Sequence, residues 1–118
     1  MATGTIHSDG TVQEISLTAN STNVNSIGAS TRAYRIGRMV FVTIYCQISA
    51  NVAAGADLIS GLPAPQGSAS VYFPMATNSG NYAYRAKISP SGVVQTEGSA
   101  FSSSQSWYVG NVTYVAST

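Results

Sequence analysis

The ten residues from Met39 to Ile48 constrain the fold most, because they alternate between two faces that are both largely apolar. One face carries Val40, Val42, Ile44, Cys46 and Ile48, and the other carries Met39, Phe41, Thr43, Tyr45 and Gln47. Alternate residues share a face in an extended strand, and β-branched and aromatic side chains pack well on a pleated sheet. The stretch therefore predicts a long strand that needs cover on both sides. In a small two-layer domain, a neighbouring subunit is one source of the second cover.

Period-two alternation and turn residues predict further short strands around this one. The segment Ser89–Gly92 has good turn chemistry, because Pro presets φ and Gly tolerates a positive φ, so it predicts a hairpin. Closely spaced strands with polar turns are typical of an all-β antiparallel sandwich or barrel. The expected organisation is a flexible lead at 1–10 and one β-sandwich domain over 11–118. The expected strands are 11–19, 34–38, 39–48, 69–73, 82–88, 92–96 and 107–116, with loops at 20–31 and 51–67.

Charged residues are scarce, at 8% of the chain against roughly 25% in an ordinary soluble domain. The chain has 18 Ser and 11 Thr instead. Such a surface is wetted without charge, and it suits close packing between chains. A net charge of +1 gives no electrostatic reason to expect nucleic acid as a partner. No apolar run approaches the ~18 residues of a bilayer span, so membrane insertion is not expected.

The residues that usually carry catalysis or bind metals are few and widely spaced. His7 is the only histidine, and one Cys with one His cannot supply the four ligands of a structural zinc site. Cys46 lies among Val and Ile, which predicts a buried, inert thiol. We therefore expect a protein that is not an enzyme, with no catalytic residue, no metal and no cofactor. The carboxylates, none of them paired at short range for acid–base work, are Asp9, Glu14, Asp57 and Glu97.

Aromatic, asparagine and arginine side chains are the best candidates for binding a ligand. Tyr and Trp present rigid flat surfaces with a polar tip, which suit sugar rings and protein interfaces. Trp107 and Tyr108 must point to opposite faces of a strand, so one is expected in the core and the other is available. Aromatic residues on strands also commonly fill a core or a subunit interface, which is the competing interpretation. The candidate ligand-binding residues are Tyr82, Tyr84, Trp107, Asn78, Asn81 and Arg85.

Four stretches of the chain follow one another in a recognisable layout. Tyr34 to Val42 reads as a short strand, a Gly turn and a long strand, and the loop from Ile59 to Pro65 contains a Leu-Pro-Ala-Pro sequence. Ile88 to Val94 and the ending Val112 to Tyr114 continue the same pattern. This layout resembles that of head domains in bacteriophage tail fibres and baseplate receptor-binding proteins.

The resemblance implies an all-β antiparallel sandwich, a jelly-roll-like head domain that is usually a homotrimer. Such a head is displayed at the tail tip of the virion after assembly in the bacterial cytoplasm. It implies a receptor-binding module that recognises a bacterial cell-surface saccharide and joins other phage tail proteins. Two other functions remain open. One is a structural tail or capsid decoration protein without receptor binding, and the other is a carbohydrate-binding module of a secreted enzyme.

Overall fold

A computed structural model describes residues 11–49, 52–77, 84–101 and 107–118, and within these ranges the chain forms ten strands and one short 3-10 turn at Gln66–Ser68. All pairings among these strands are antiparallel, which confirms the predicted all-β antiparallel fold. None of the described helical segments is long and apolar enough to cross a bilayer. The expected lead at 1–10 lies outside the described residues. The strands are β1 Gln13–Ile15, β2 Thr18–Ala19, β3 Val24–Ile27, β4 Arg32–Ile36, β5 Met39–Ile48, β6 Asp57–Ser60, β7 Val71–Thr77, β8 Tyr84–Ile88, β9 Val94–Glu97 and β10 Trp107–Val115.

The strands form one continuous sheet that curls back on itself. Their order is β1-β4-β5-β10-β7-β8-β9-β6-β2, with β3 paired to the end of β5. Strands β1 and β2 lie at opposite ends of this order although only Ser16 and Leu17 separate them in the chain, so the two ends of the sheet must meet. The two layers expected of a sandwich are thus the halves of one sheet. We call β1, β3, β4, β5 and β10 the first half-sheet, and β2, β6, β7, β8 and β9 the second half-sheet.

The hydrophobic core lies between these two halves. The face of β5 that carries Val40 and Cys46 is buried along its whole length, and Tyr108 and Tyr114 of β10 lie beside it on the same side. Phe73 and Met75 of β7 contribute from the second half-sheet. Burying an aliphatic or aromatic side chain of this size stabilises the fold by roughly 1.5–3 kcal/mol. The further buried apolar residues include Leu58, Ile59, Leu62, Ala86, Ile88, Val94 and Phe101.

The predicted turn at Ser89–Gly92 joins β8 and β9 as a hairpin. The amide of Gly92 donates to the carbonyl of Ser89 at 2.9 Å, and the amide of Ser89 donates to the carbonyl of Val93 at 2.8 Å. Gly92 has φ +85°, and a Cβ there would overlap the carbonyl of Leu62. Glycine is therefore required at this position both for its conformation and for the close approach of the neighbouring loop.

Two segments expected to be loops contain strands. In 20–31, β3 pairs with the end of β5, although Val24 is its only buried residue and its sequence shows no apolar alternation. In 51–67, β6 pairs with β2 and β9, and both Leu58 and Ile59 are buried although they are adjacent. A register shift between Asp57 and Ile59 accompanies this break in alternation. Both strands are held by partners far away in the chain, so local patterns did not predict them.

Candidate ligand-binding face

The outward side of the second half-sheet collects polar side chains around one exposed aromatic ring. In each strand, the residues next to the buried ones point outward. Across the β7–β8 pair, Tyr72 therefore stands opposite Lys87, and Pro74 stands opposite Arg85. We call this surface the polar face. Its residues are Tyr72 and Pro74 of β7, Arg85 and Lys87 of β8, Gln95 and Glu97 of β9, and Asp57 of β6.

Tyr72 is the most exposed aromatic side chain on the polar face, at 56% of its full accessibility. The guanidinium carbon of Arg85 lies 5.5 Å from the centre of its ring, within the range of a cation–π contact. A large ring with this exposure leaves apolar surface in contact with water, and its partner Arg85 is itself exposed. Tyr72 and Arg85 therefore form a ready surface for a flat ligand with a polar edge.

One carboxylate on the polar face is shared by two cations. Nη2 of Arg85 lies 3.1 Å from Oε2 of Glu97, and Nζ of Lys87 lies 3.4 Å from Oε1 of the same carboxylate. Exposed ion pairs of this kind contribute roughly 0–1 kcal/mol to stability, so their main effect here is on the position of the side chains. One strand farther on, Nε2 of Gln95 donates to Oδ1 of Asp57 at 2.7 Å. Polar groups thus follow one another across β8, β9 and β6.

A shallow hollow of about 240 Å³ opens beside Tyr72 and Arg85. Its volume is below the roughly 300–1,000 Å³ of pockets for drug-sized ligands, so it accommodates one ring-sized group. The hollow is lined by Tyr72, Phe73, Pro74, Tyr84 and Arg85.

The predicted candidates occupy different parts of the molecule. Arg85 lies on the polar face. Tyr84 lies on the core side of the second half-sheet, and Trp107 lies on the outward side of the first half-sheet. Asn78, Asn81 and Tyr82 lie outside the described residues. Tyr72 was missed by sequence reasoning, because it stands in the apolar run Val71–Met75, where no local signal shows which residues point outward.

Tyr84 is directed to the core side of the second half-sheet. Its ring meets Phe101 edge-on at 5.2 Å and Tyr108 edge-on at 4.9 Å between centroids. Phe101 and Tyr108 in turn stack on each other at 4.5 Å. Tyr84 is half-buried and also reaches the hollow beside Tyr72, so it supports that site from inside the fold.

Trp107 lies on the outward side of the first half-sheet, half-buried, while Tyr108 is fully buried. The expectation that one of the two belongs to the core is therefore confirmed. The indole of Trp107 stacks on the ring of Tyr45 at 4.7 Å with an angle of 27° between the planes. Gly28 also packs closely against the ring of Tyr45, and a Cβ at position 28 would overlap that ring. This aromatic pair is consequently held in place by its surroundings.

The second apolar face of β5 is only partly covered within one chain. Met39 and Phe41 are each 41% exposed, and Ile36 and Tyr34 of β4 stand directly opposite them in the sheet and are similarly exposed. We call Tyr34, Ile36, Met39 and Phe41 the apolar patch. Contiguous exposed apolar side chains of this size commonly mark an interaction surface.

The described residues include no group of three His, Cys, Asp or Glu side chains placed to hold a metal ion. Cys46 is fully buried, as predicted, and burial raises the pKa of its thiol to about 12. A thiol with this pKa remains protonated at neutral pH and is a poor nucleophile. The expectation that the chain is not an enzyme stays a prediction.

The sequence matches no protein-family model and no curated protein at a significant level. The resemblance to head domains of phage tail fibres therefore stays a prediction.

Proposed function

We propose that this protein is a non-enzymatic binding module that recognises a saccharide on a bacterial cell surface. The observation that carries the proposal is Tyr72, an exposed ring flanked by Arg85 at the β7 edge of the polar face. A sugar presents apolar C–H groups on the faces of its ring and hydroxyl groups at its edge. An exposed tyrosine beside hydrogen-bonding side chains offers complementary contacts to both.

The polar groups around Tyr72 suit a ligand rich in hydroxyl groups. Arg85 and Lys87 are donors, Glu97 is an acceptor, and the side-chain amide of Gln95 has both functions. Their mutual ion pairs and hydrogen bonds keep them in defined positions, which reduces the entropy lost on binding. The polar face is part of a sheet, so the contacts are arranged on a rigid support.

We also propose the biological setting that the sequence resemblance suggests, in which the module is the host-recognition part of a phage tail. The scarcity of charged residues supports this setting, because an uncharged Ser/Thr-rich surface suits packing against other tail proteins. A carbohydrate-binding module of a secreted enzyme would use the same face. Adsorption to host cells by an intact virion, and its loss when the isolated domain competes, favours the phage setting over the enzyme.

The test is a glycan array and a host-cell adsorption assay with purified protein and its Tyr72→Ala variant. Loss of an aromatic hot-spot contact costs about 2 kcal/mol, so we expect binding to fall roughly thirtyfold. Val12→Ala is the control, since it removes an exposed apolar side chain that lies outside both the polar face and the apolar patch. Absence of binding to any glycan or host envelope, or equal loss in both variants, contradicts the proposal.

A second proposal concerns the apolar patch, which favours assembly with identical chains. We infer that Tyr34, Ile36, Met39 and Phe41 are covered by neighbouring subunits in a homotrimer. The patch is the exposed part of the second face of β5. Contact with a neighbouring subunit at the patch would give β5 the cover on both sides that its sequence predicts. The same patch would serve a structural tail or capsid decoration protein, which binds virion components but not cells.

Light scattering across a dilution series measures the mass of the assembly. We expect a stable mass three times that of one chain. A monomer at all concentrations contradicts the proposed trimer.

A further inference from the structure

We propose that the saccharide bound at the polar face is acidic, and that its carboxylate pairs with Arg85 while its ring lies against Tyr72. The inference rests on the proposed function, because it specifies the ligand of the same site. Three observations carry it: the charge balance around Tyr72, the unused hydrogen-bonding capacity of Arg85, and the size of the adjoining hollow.

The charges beside Tyr72 do not cancel. Arg85 and Lys87 share the single carboxylate of Glu97, which leaves one positive charge in this cluster. The other carboxylate on the face, Asp57, lies on β6, two strands from β8. Two strand spacings are about 10 Å, which is at least the Debye length of about 8 Å at physiological ionic strength. The negative charge of Asp57 is therefore largely screened from the ligand position beside Tyr72.

Within the described part of the chain, the guanidinium of Arg85 keeps most of its donors available. It carries five N–H groups in a planar fork, and Nη2 donates to Glu97. Glu97 is its one hydrogen-bonding partner among the described residues. The side chain is 58% exposed, so a ligand can approach the remaining donors. Arginine binds carboxylates through two parallel hydrogen bonds, which gives an acidic group both strength and direction here.

The hollow places a sugar ring within reach of these donors. Its volume of about 240 Å³ suits one ring, and Tyr72 and Arg85 both line it. The guanidinium carbon lies 5.5 Å from the centre of the Tyr72 ring. A ring seated on the exposed part of Tyr72 therefore brings a carboxylate at its edge next to Arg85. A neutral sugar would contact Tyr72 equally but would leave the excess positive charge unpaired.

The test compares acidic oligosaccharides with their methyl esters, which have the same rings without the charge. The probes are trimers of galacturonate, glucuronate and mannuronate, each titrated against the full chain by calorimetry at low and high salt. We expect a preference of about fivefold for the acid in at least one pair, which corresponds to about 1 kcal/mol for an exposed charge-assisted pair. High salt should reduce this preference.

Two variants separate a direct contact with Arg85 from a general effect of charge. Arg85→Gln should abolish the preference for the acid, because the acid and its ester then meet the same uncharged side chain. Lys87→Gln is the matched comparison, because it removes the same charge from the polar face but leaves the guanidinium of Arg85 in place. It should preserve most of the preference. An equal loss in both variants overturns the proposed pairing with Arg85.

The outcomes also separate this inference from the proposed function. If neutral glycans bind in a Tyr72-dependent manner and no acid binds better than its ester, the proposed function stands and the acidic ligand is refuted. If no glycan of either kind binds with dependence on Tyr72, both are refuted.

Discussion

Replacing Tyr84 with Ala should greatly lower the thermal stability of the protein, whereas replacing Tyr72 with Ala should change it little. The two tyrosines lie on the neighbouring strands β8 and β7 and project to opposite sides of the second half-sheet. Tyr84 stands opposite Met75, which is buried, and Tyr72 stands opposite Lys87 on the polar face. The pair therefore tests which side of the sheet is core and which is available for a ligand.

The expected loss at Tyr84 follows from its contacts. It makes two edge-on ring contacts, at 5.2 Å with Phe101 and 4.9 Å with Tyr108, each worth about 0.5–1.5 kcal/mol. Burial of roughly half of a ~200 Å² side chain adds about 2.5 kcal/mol. Because water can enter the half-exposed site left by the variant, we expect a net loss of about 3 kcal/mol. Tyr72 makes one exposed cation–π contact, worth about 0.5–1 kcal/mol.

Thermal unfolding followed by far-UV circular dichroism measures both variants. For a chain of 118 residues, 1 kcal/mol shifts the melting temperature by about 3–5 °C. The expected decrease is about 10–15 °C for Tyr84→Ala and less than about 5 °C for Tyr72→Ala. Equal decreases, or a larger one for Tyr72→Ala, would refute the assignment of Tyr84 to the core and of Tyr72 to the binding face.

Two further predictions concern the hydroxyl of Tyr114 and the apolar patch. Tyr114 donates to the carbonyl of Pro63 at 2.7 Å, so Tyr114→Phe should cost about 1 kcal/mol in the free energy of unfolding at pH 8, measured by urea denaturation. Burial raises the pKa of Tyr114 to about 12, above its ordinary value near 10, so its contribution is fully present below pH 10 and is lost as the pH rises through 12. The difference between wild type and variant should narrow over that range, and a constant difference contradicts the raised pKa. Phe41→Asp should dissociate the assembly. Burying the exposed 41% of the Phe41 side chain stabilises the assembly by about 2 kcal/mol per subunit, and a buried unpaired carboxylate is costly. An unchanged mass and melting temperature would refute the burial of Phe41.

Local patterns predicted part of the candidate site. Arg85 is among the candidates that the sequence predicts, and the structure places it with Lys87 on the side of β8 opposite to Tyr84. The importance of Tyr72 depends on its pairing with Lys87 on another strand, which no local signal contains. The shared carboxylate of Glu97 likewise arises only when β8 and β9 pair in this register. The site is thus a property of strand register.

The sequence by itself determined the all-β class, the bounds of β5, the burial of Cys46, and the hairpin between β8 and β9. These features depend on period-two alternation and on the conformations of Pro and Gly, which are local. Only the tertiary structure decided that β3 and β6 are strands, that the sheet is continuous and curls, and which outward side is polar. Those features depend on hydrogen bonds and side-chain contacts between segments far apart in the chain, and the free energy of such contacts is not encoded in any short window of residues.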